Sequence, residues 1–530
     1  MIHLGIDFGT ANTKVSRLEY SGIPSVVAIG RGGYSQQMMP STCWINHSGN
    51  IEVGESALAR PDRLRYIKRY WQQRREDQLE PLWHDGKRTI GGRVYSCEQI
   101  IESVLSEAIT RAMEGTSAAE KAEGYTANIV CPVDLDRVKR QSLVQMLLRQ
   151  GAKSATLSNV IDEPLAAAVL YCRIEEHPPV QRDILVFDAG AGTVDVAIVR
   201  YCESDGRRSA TVLAEAGRCV AGADLDRVMQ KVVLGKIQQD QADFSDASLF
   251  RLYNTDPAVG RIAFEDDCER MKILLGTYPT VSSTPRVGAS NLTSAPVNVT
   301  REEYCFAASK ELFQLQDSVT SAMRMAKTVV EIFDGVQLAI FVGGTSSLPF
   351  VRDNIAACVP GAIMLNHEYL DVMLATVRGT GFLKDFEDLV LLRPPYETRL
   401  RITLEDGSTT TLVVNEAYQS FNRQMFFNTS VPSIRIVSDT FESRIRKITV
   451  LFVSPLGEYI EVSERTLDPD AFRGCSQIEA EINIKAYLSI RSGNISRHVR
   501  APYFTQVGLR EPEPFRMSDL NAPDVYPDDN

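Results

Sequence analysis

The stretch LVFDAGAGTVDVAIV, residues 185–199, is an apolar run that ends on Asp188, turns through small residues and then becomes apolar again. The stretch LGIDFGTANTKVS, residues 4–16, has almost the same pattern around Asp7. Each pattern is typical of a strand, a tight turn and a second strand. Asp7 and Asp188 lie 181 positions apart. The sequence therefore predicts that one hairpin occurs twice.

The turn of each hairpin combines glycine with threonine and alanine and carries no bulky side chain. Such a turn can point several backbone N–H groups at phosphate oxygens. Asp7 and Asp188 would then face each other across a cleft, where a magnesium ion with its waters bridges them to phosphates. Either motif alone is equally consistent with a tight hairpin whose aspartate satisfies turn amides. The two motifs together, in order, predict a phosphate clamp.

A third motif, LAIFVGGTSSLPFV at 338–351, predicts a strand, a Gly343-Gly344 turn and the start of a helix. Ser or Thr caps and Pro349 in the first turn are typical of a helix N-terminus. Glycines at this point let the backbone approach a flat ring or a ribose. The alternative is a simple strand-to-helix turn, but the order of the three motifs favours phosphate, phosphate and adenosine sites.

Length, charge and cysteine pattern exclude several classes of protein. At 530 residues the chain is too long for a single core, so we expect several domains. The net charge of -11, without a basic tract, argues against nucleic acid or an anionic membrane as the main partner. The ten cysteines show no CxxC pair or zinc spacing, which indicates reduced thiols. We find neither a signal-peptide pattern nor an apolar run of about 18 residues, and we expect a cytoplasmic protein.

The pattern of predicted secondary structure changes along the chain. Through about residue 385, strand-like and helical segments alternate, which predicts an α/β fold with a mixed sheet. From about 399 the pattern is of strands and turns. Between Ile478 and Ile490 every second residue is apolar, which predicts a half-buried strand pair or one long bent strand. Beyond about 508 the chain is acidic and Pro-rich, and we expect it to be disordered.

Three quoted motifs resemble those of the actin-like ATPase superfamily and, within it, the DnaK-type seventy-kilodalton heat-shock chaperones. IDFGTANTK and LVFDAGAGTVD resemble the two phosphate motifs, and FVGGTSSLP resembles the adenosine motif. NVIDEPLAAAVLY, 159–171, is similar to the crossing helix between them. The resemblance covers roughly residues 1–392. It implies an α/β actin-like (ribonuclease H-like) two-lobed ATPase domain followed by a mostly β C-terminal domain.

The resemblance also implies domain boundaries. The nucleotide-binding domain would span 1–385, with lobe I at about 1–182, lobe II at about 183–370 and a return crossing helix at about 371–385. DLVLLRPP, 388–395, is similar to the family's interdomain linker and places a linker at 386–397, although one last strand of the ATPase domain is the alternative. A β-rich domain for a substrate or partner would follow at 398–508, and then an acidic disordered tail at 509–530. We expect no counterpart of the family's helical lid in this sequence.

The resemblance assigns chemical roles to matching residues. Asp7 and Asp188 would hold hydrated Mg2+, and Lys68 would reach the γ-phosphate of ATP. Glu163 and Asp195 would order the attacking water and the metal shell. Thr193 would lie against the phosphates. The residues whose backbone N–H groups would donate to phosphates are Gly9, Thr10, Ala11, Asn12, Gly190, Ala191 and Gly192.

Further positions would contact the nucleotide. Lys14 adds a β-phosphate contact, as in some actin-like relatives, or is a solvated end-of-strand lysine. Glu269 and Lys272, three apart on one helix face, would hydrogen-bond ribose hydroxyls or form an exposed ion pair. The glycines expected near the nucleotide are Gly222, Gly343 and Gly344. Ser347 stands where the family usually has an arginine on adenine, and Ala189-Gly190-Ala191 replaces a fuller glycine run, so weaker nucleotide affinity is expected.

These features predict an ATP- and ADP-binding chaperone-like switch that acts on a polypeptide client or a dedicated protein partner. The family implies a J-domain co-chaperone and a nucleotide-exchange factor, and coupling through Pro132, Arg140 and Glu163. A filament-forming actin-like ATPase is an alternative, since GTANT also resembles bacterial actin-like proteins. The crossing-helix motif, the linker and the β-rich segment argue against it. A small-molecule kinase of the same superfamily is a further alternative, although no acceptor motif is found.

Overall fold

The structure is a computed structural model, and it describes residues 2–18, 24–32, 35–58, 60, 62–72, 87–133, 135, 137–155, 159–174, 181–204, 207–240, 259–287, 290–291, 296–329, 333–365, 371–382, 389–391, 397–415, 433–453, 462–467, 471–483 and 487–500. The chain divides into two compact units. Unit 1 comprises 1–199, 215–322 and 335–385, and unit 2 comprises 200–214, 323–334 and 386–530. Two stretches of the predicted lobe II, 200–214 and 323–334, thus cluster with unit 2. The lobe boundaries themselves stay a prediction.

The N-terminal part of unit 1 contains the first predicted hairpin. Its strands are β1 (Ile2–Phe8), β2 (Asn12–Leu18), β3 (Pro24–Val26), β4 (Met39–Pro40), β5 (Cys43–Ile45), β6 (Ile51–Val53), β7 (Lys87–Ile90), β8 (Arg93–Ser96), β9 (Tyr125–Cys131) and β10 (Val160–Asp162). Its helices are α1 (Glu55–Leu58), α2 (Ile67–Gln72), α3 (Cys97–Ala112), α4 (Ala118–Glu123), α5 (Arg137–Arg149) and α6 (Glu163–Ile174). β1 pairs antiparallel with β2 and parallel with β9. The hairpin therefore lies in the middle of a mixed sheet of order β10-β9-β1-β2-β3, with β4 also paired to β2.

The second predicted hairpin opens the next part of the chain. The strands here are β11 (Gln181–Ala189), β12 (Val194–Ser204), β13 (Arg207–Arg218), β14 (Thr280–Ser283), β15 (Arg286–Val287), β16 (Ser290–Asn291), β17 (Val297–Thr300), β18 (Leu338–Val342) and β19 (Ile363–Met364). The helices are α7 (Gly222–Asp240), α8 (Val259–Thr277), α9 (Arg301–Ala307), α10 (Ser309–Val329), α11 (Pro349–Ala356) and α12 (Ala375–Phe382). The main sheet contains β19-β18-β11-β12-β13 in this order, and a sixth strand, Leu389–Leu391, pairs with β13. β18 runs parallel to β11, as β9 runs parallel to β1.

The two main sheets have the same strand order, so the predicted repetition of a hairpin extends to five strands. In each sheet the hairpin's first strand has a parallel neighbour that arrives later in the chain. Asp7 pairs in register with Val130 of β9, and Asp188 pairs with Val342 of β18. Both aspartates therefore lie at the carboxyl ends of buried parallel strands, where ligands of such sheets usually bind. The mixed α/β architecture predicted for this part is confirmed.

Local sequence signals explain where several helices begin. Ser96 accepts a hydrogen bond from the Gln99 amide while the Gln99 side chain returns to the Ser96 amide, which is a capping box at the start of α3. Thr300 and Glu303 form the same arrangement at the start of α9. These reciprocal bonds satisfy amides that the first turn of a helix leaves without partners.

The helix predicted from EPLAAAVLY is α6, and it packs against α12. Every residue from Glu163 to Cys172 is buried. A Cβ atom added to Gly379 of α12 would lie 1.7 Å from the carbonyl oxygen of Ala166, so the two backbones meet without an intervening side chain. The return helix expected at about 371–385 is present as Ala375–Phe382 in the described residues.

Unit 2 consists mainly of strands. They are β20 (Leu389–Leu391), β21 (Glu397–Leu404), β22 (Thr409–Asn415), β23 (Ser433–Thr440), β24 (Ile445–Val453), β25 (Val462–Thr466), β26 (Gln477–Asn483), β27 (Tyr487–Ser492) and β28 (Ile495–Arg500). One sheet has the order β22-β21-β24-β25 and another the order β23-β26-β27-β28. Apolar side chains from both sheets, including Leu400, Ile448 and Ile490, form a shared buried core.

The alternating run from Ile478 to Ile490 is a strand pair, one of the two forms that the sequence left open. β26 and β27 pair antiparallel with Ala480 opposite Ile490. Ile478, Ala480, Leu488 and Ile490 are all fully buried, so the apolar positions face one side as period two requires. Residues 484–486 lie outside the described residues.

The predicted linker and tail are described only in part. Leu389–Leu391 form β20, which pairs parallel with residues 210–212 of β13. The described part of 386–397 is therefore a strand, which was the alternative interpretation, and its role as a linker stays a prediction. The rest of that segment and the predicted acidic tail at 509–530 lie outside the described residues.

Candidate functional site

The turns of the two hairpins close in the same way. The Gly9 amide donates to the Asn12 carbonyl at 3.0 Å, and the Gly190 amide donates to the Thr193 carbonyl at 3.0 Å. The two bonds join equivalent positions, 181 residues apart. The sequence assigned both amides to phosphate; in the structure each amide closes its own turn, and the assignment of Gly9 and Gly190 to phosphate stays a prediction.

A hydroxyl group braces each turn at the same carbonyl. Ser41 Oγ donates to the Gly9 carbonyl at 2.7 Å, and Thr345 Oγ1 donates to the Gly190 carbonyl at 2.7 Å. The Gly190 carbonyl also accepts the Gly222 amide at 3.1 Å. Ser41 was missed by sequence reasoning, since nothing in MPSTCWI distinguishes this serine from an ordinary loop residue.

The next amides in each turn remain for a ligand. Among the described residues, the amides of Thr10, Ala11, Ala191 and Gly192 have no hydrogen-bond partner. A Cβ atom on Gly192 would lie 2.4 Å from Thr10 Oγ1, so the two turns lie against each other. Clustered amides without partners form a concave site that favours anions.

Both turns open into one cavity of about 380 Å³. The sequence-predicted residues that line it are Asp7, Gly9, Thr10, Ala11, Asn12, Lys14, Lys68, Glu163, Asp188, Gly190, Ala191, Gly192, Thr193, Gly222, Glu269, Lys272, Gly343 and Gly344. These residues come from at least six separate segments of unit 1, which the fold brings to one place.

Two sequence-predicted residues do not line the cavity. Asp195 is only 1% exposed, and its Oδ1 accepts the Val133 amide at 2.7 Å. Ser347 is exposed, and its Oγ donates to the Gly344 carbonyl at 2.6 Å. The Ser347 hydroxyl closes the turn that precedes α11, and a role of Ser347 in nucleotide binding stays a prediction.

Two buried lysine–carboxylate pairs line the cavity. Lys14 Nζ lies 2.7 Å from Asp7 Oδ2. Lys68 Nζ lies 2.5 Å from Glu163 Oε1 and donates to the Phe8 carbonyl at 2.6 Å. Burial opposes the charged form of Lys68, but the Glu163 carboxylate raises the pKa of Lys68 overall. Lys14 is thus a buried ion-pair partner, not a solvated lysine.

Asp188 has a different environment. Its Oδ2 accepts the Thr376 hydroxyl at 3.2 Å, and no ion pair reaches it among the described residues. The pKa of Asp188 is raised to about 8, chiefly by burial and also by the charges of Glu163 and Asp7, while Lys14 acts in the opposite direction. Burial and Glu163 likewise raise the pKa of Asp195 well above its usual value. Excess negative charge of this kind is relieved when a cation binds.

The carboxylates fit a hydrated magnesium ion better than a directly caged metal. Within the described part of the chain, no three His, Cys, Asp or Glu side chains converge as a metal-ligand group. Magnesium characteristically keeps several waters and uses one or two carboxylates together with substrate phosphates. Asp7 and Asp188 supply such a pair at the strand ends.

The two residues predicted to bind ribose, Glu269 and Lys272, each form an ion pair with another side chain of this chain. Lys272 Nζ lies 2.6 Å from Asp226 Oδ1, and Glu269 Oε2 lies 2.6 Å from Arg65. The anticipated alternative, an ion pair between Glu269 and Lys272 themselves, is not formed. Burial opposes ionisation of Glu269, but Arg65 and Lys272 lower its pKa overall. Burial raises the pKa of Asp226 to about 6 despite the Lys272 ammonium.

Sequence reasoning missed Arg65 and Asp226. Arg65 stands three residues before Lys68, and Asp226 follows Gly222 by one helical turn. Those spacings were the only available signals. Apolar side chains also line the cavity, contributed by Ile273, Leu348, Val372 and Met373.

Buried bonds connect the site to the crossing helix. Arg140 donates to the Asp162 carboxylate at 2.5 Å and to the Pro132 carbonyl at 3.2 Å. Asp162 immediately precedes Glu163, the first residue of α6, and the Val133 amide donates to Asp195. Pro132, Arg140 and Glu163, which the resemblance linked to coupling, are therefore connected through adjacent contacts.

Comparison with known proteins gives the class to which this fold and site belong. A family model described as Hsp70 protein matches residues 86–361, just over half of the chain. The chain belongs to the Hsp70 family. It is 27% identical to the Chaperone protein DnaK of Ureaplasma urealyticum serovar 10 (strain ATCC 33699 / Western), over 92% of this chain and 75% of the relative. It is 26% identical to the Chaperone protein DnaK of Ureaplasma parvum serovar 3 (strain ATCC 27815 / 27 / NCTC 11736), over 92% and 74%.

Family membership confirms the predicted DnaK-like resemblance. Hsp70 proteins are ATP-binding chaperones that act in protein folding, and the family's nucleotide domain has the two-lobed actin-like fold. As a separate finding, the helices in the described segments include none that is both long enough and apolar enough to span a bilayer.

Proposed function

We propose that this chain binds and hydrolyses ATP in the 380 Å³ cavity, and that the bound nucleotide controls capture of a polypeptide client or dedicated partner by the β-rich segment 398–508. The main support is the convergence of two braced turns and two buried lysine–carboxylate pairs on one cavity. A J-domain co-chaperone and a nucleotide-exchange factor are the partners that family membership favours.

The geometry supports a division of nucleotide contacts. The amides of Thr10, Ala11, Ala191 and Gly192 would receive the phosphate oxygens. Gly343 and Gly344 would allow the backbone to approach the nucleoside. Glu269 and Lys272 would bind ribose hydroxyls while keeping Arg65 and Asp226 as supporting partners, since carboxylates and ammonium groups accept or donate more than one hydrogen bond.

Asp7 and Asp188 would hold hydrated Mg2+. When bound, this ion neutralises charge on the β- and γ-phosphates. The excess of carboxylate charge around Asp188 supports this assignment.

The hydrolytic step would rest on positioning and electrostatics. Lys68 remains cationic because Glu163 pairs with it, and its ammonium would stabilise the γ-phosphoryl group as charge develops there. Thr193 lines the cavity next to the phosphate turn and would orient the attacking water. Asp195 accepts the Val133 amide at 2.7 Å and does not line the cavity. It would help to position the attacking water without touching the nucleotide.

Coupling would use the bonds that lead away from the site. A shift of Asp195 on loss of the γ-phosphate would move Val133, and Arg140 links that segment to Asp162 and so to α6. Coupling energies between such sites are typically about 1–3 kcal/mol. This corresponds to a change in client affinity of about 5- to 150-fold.

The test uses the full chain and a fluorescent unfolded polypeptide. Its affinity is measured by anisotropy with ATP and with ADP, alongside ATP turnover. We expect the affinity for the polypeptide to differ by at least about fivefold between ATP and ADP. Lys68→Ala should abolish ATP turnover, so that a sample started in ATP keeps the affinity of the ATP state and does not change to that of the ADP state. Lys139→Ala is the matched control, because Lys139 is a buried lysine of the same lobe that bonds the Gln72 carbonyl and does not line the cavity. Equal client affinity with both nucleotides, together with normal ATP turnover, would contradict the coupling proposal.

A further inference from the structure

The carboxylate of Asp188 is contacted by groups that lie outside its own hairpin. Its Oδ2 atom accepts the hydroxyl of Thr376, the second residue of α12, at 3.2 Å. A Cβ atom on Gly343 would lie 2.7 Å from its Oδ1 atom. Asp7 differs, because its partner Lys14 comes from the opposite strand of the same hairpin. The position of the Asp188 carboxylate therefore depends on α12 and on the glycine turn that follows β18.

Hydrogen bonds fix α12 to the first main sheet. Ser16 Oγ of β2 donates to the Val377 carbonyl at 2.7 Å, and Asn128 Nδ2 of β9 donates to the Thr380 carbonyl at 3.3 Å. Asp188 belongs to the other main sheet and lies near the end of β11. Helix α12 is thus anchored on one sheet, and it carries a hydroxyl that bonds a carboxylate of the other.

The Thr376 hydroxyl is buried and lies beside the cavity. Thr376 is 5% exposed, Asp188 is 7% exposed, and both residues line the cavity. A threonine in a helix commonly donates its hydroxyl to the carbonyl four residues earlier, as Thr380 does to Thr376 at 2.7 Å. Of these two buried threonines one turn apart, Thr376 bonds the carboxylate and Thr380 bonds the helix itself.

Hydrogen bonds from neighbouring groups orient the carboxylates that hold a metal ion, and their loss typically weakens metal affinity about 10- to 100-fold. We propose that Thr376 is a positioning residue for magnesium: its hydroxyl orients the Asp188 carboxylate, and α12 thereby sets the place of that carboxylate relative to the sheet that carries Asp7. The inference rests on the proposed function and adds a residue of α12 to it. Because Thr376 acts through Asp188, its loss should affect the contribution of the cation and not the binding of the nucleotide alone.

The experiment measures how strongly Mg2+ tightens the binding of a fluorescent ADP to the full chain. The dissociation constant is determined once in a chelator and once in excess Mg2+, and the measured quantity is the first constant divided by the second. Thr376→Val has nearly the same size and lacks the hydroxyl, and it should reduce this ratio about tenfold. Its dissociation constant in the chelator should stay within about twofold of that of the unmodified chain.

Thr380→Val is the matched control, because it removes a buried hydroxyl from the same helix, and Thr380 does not line the cavity. Its ratio should equal that of the unmodified chain. Thr376→Ser keeps a hydroxyl and should retain the ratio within about twofold. Thr376→Ala repeats the comparison if Thr376→Val does not fold, because alanine is smaller and favours a helix.

An unchanged or larger ratio for the folded variants that lack the Thr376 hydroxyl would overturn the inference and leave the proposed function intact. An equal loss of ADP affinity in Mg2+ and in the chelator would also overturn it, since that result means a purely structural role. Failure of the unmodified chain to bind ADP in Mg2+, or binding that Mg2+ does not tighten, would instead overturn the proposed function, and the inference with it.

Discussion

The hairpin at Ile2–Leu18 and the hairpin at Gln181–Ser204 are built alike and charged differently. In both, a glycine amide closes the turn at 3.0 Å and a hydroxyl braces the carbonyl of the same glycine at 2.7 Å. Lys14 lies opposite Asp7 in the first copy, however, whereas the residue 181 positions after Lys14 is Asp195. The backbone of the two turns is thus repeated, while the side chains next to the turns differ. The first copy would hold phosphate, and the second would also assist in cutting it.

The largest expected effect tests whether catalysis belongs to the second copy. Thr193→Ala should lower ATP turnover by roughly 10²- to 10³-fold, the scale of losing one preorganised polar group. Asn12→Ala, at the equivalent position of the first turn, should leave turnover within about tenfold of normal. Steady-state phosphate release measures both. Similar losses for the two variants would mean that the copies share the chemistry.

The next effect concerns space in the two turns. A Cβ atom on Gly9 would lie 2.4 Å from the Asn12 carbonyl oxygen, whereas on Gly190 its nearest neighbour is the Thr193 oxygen at 4.0 Å. Gly9→Ala should therefore lower the free energy of unfolding by about 1–3 kcal/mol, as overpacking does. Gly190→Ala should change it by less than about 0.5 kcal/mol. Chemical denaturation without nucleotide compares them, and equal stability would show that the turns differ less than their spacing indicates.

A third comparison concerns the two aspartates. Within the described segments, the partner of Asp188 is a hydroxyl group, while Asp7 is paired with Lys14. Asp188→Asn should therefore raise the Mg2+ concentration needed to support ADP binding at least about tenfold more than Asp7→Asn does, a difference of about 1.4 kcal/mol. Titration of Mg2+ at fixed nucleotide, followed by fluorescence, gives both values. The reverse order would place the principal magnesium ligand in the first hairpin.

The smallest expected effect concerns the braces. Ser41→Ala removes the hydroxyl from the Gly9 carbonyl and should raise the dissociation constant for ADP about fivefold, equal to about 1 kcal/mol for one hydrogen bond. Thr345→Val should have a smaller effect, about twofold, because the Gly190 carbonyl keeps the Gly222 amide at 3.1 Å. Ser41→Thr should restore binding if the hydroxyl matters and not the size of the side chain. A larger loss in Thr345→Val would contradict this reasoning.

The sequence predicted those features that depend on local pattern. The two hairpins, the glycine turn at 343–344 and the crossing helix each lie within a short stretch whose periodicity and small residues limit the available structures. The alternation from Ile478 to Ile490 predicted strands for the same reason, although periodicity cannot show where a strand bends into a hairpin. The matched spacing of Asp7 and Asp188 then indicated a shared cavity.

Contacts between residues far apart in the chain could not be predicted from a single sequence. Arg65 reaches Glu269 across 204 positions, and Ser41 reaches Gly9 across 32, and no periodicity records such pairs. The hydrogen bonds by which the amides of Gly9 and Gly190 close their own turns were not predicted, because such a bond depends on backbone angles that composition does not fix. The bond from Ser347 to the Gly344 carbonyl was not predicted either, although a short hydroxyl side chain readily bonds a nearby carbonyl on its own chain.

The brace at the second turn has a consequence for how relatives of this chain vary. The Gly222 amide donates to the same Gly190 carbonyl that Thr345 braces, and a Cβ atom on Gly222 would lie 2.5 Å from Thr345 Oγ1. The threonine hydroxyl occupies the space that a serine at 222 would need. Positions 222 and 345 should therefore co-vary among homologues: a hydroxyl at 222 with a small apolar residue at 345, or glycine at 222 with a hydroxyl at 345.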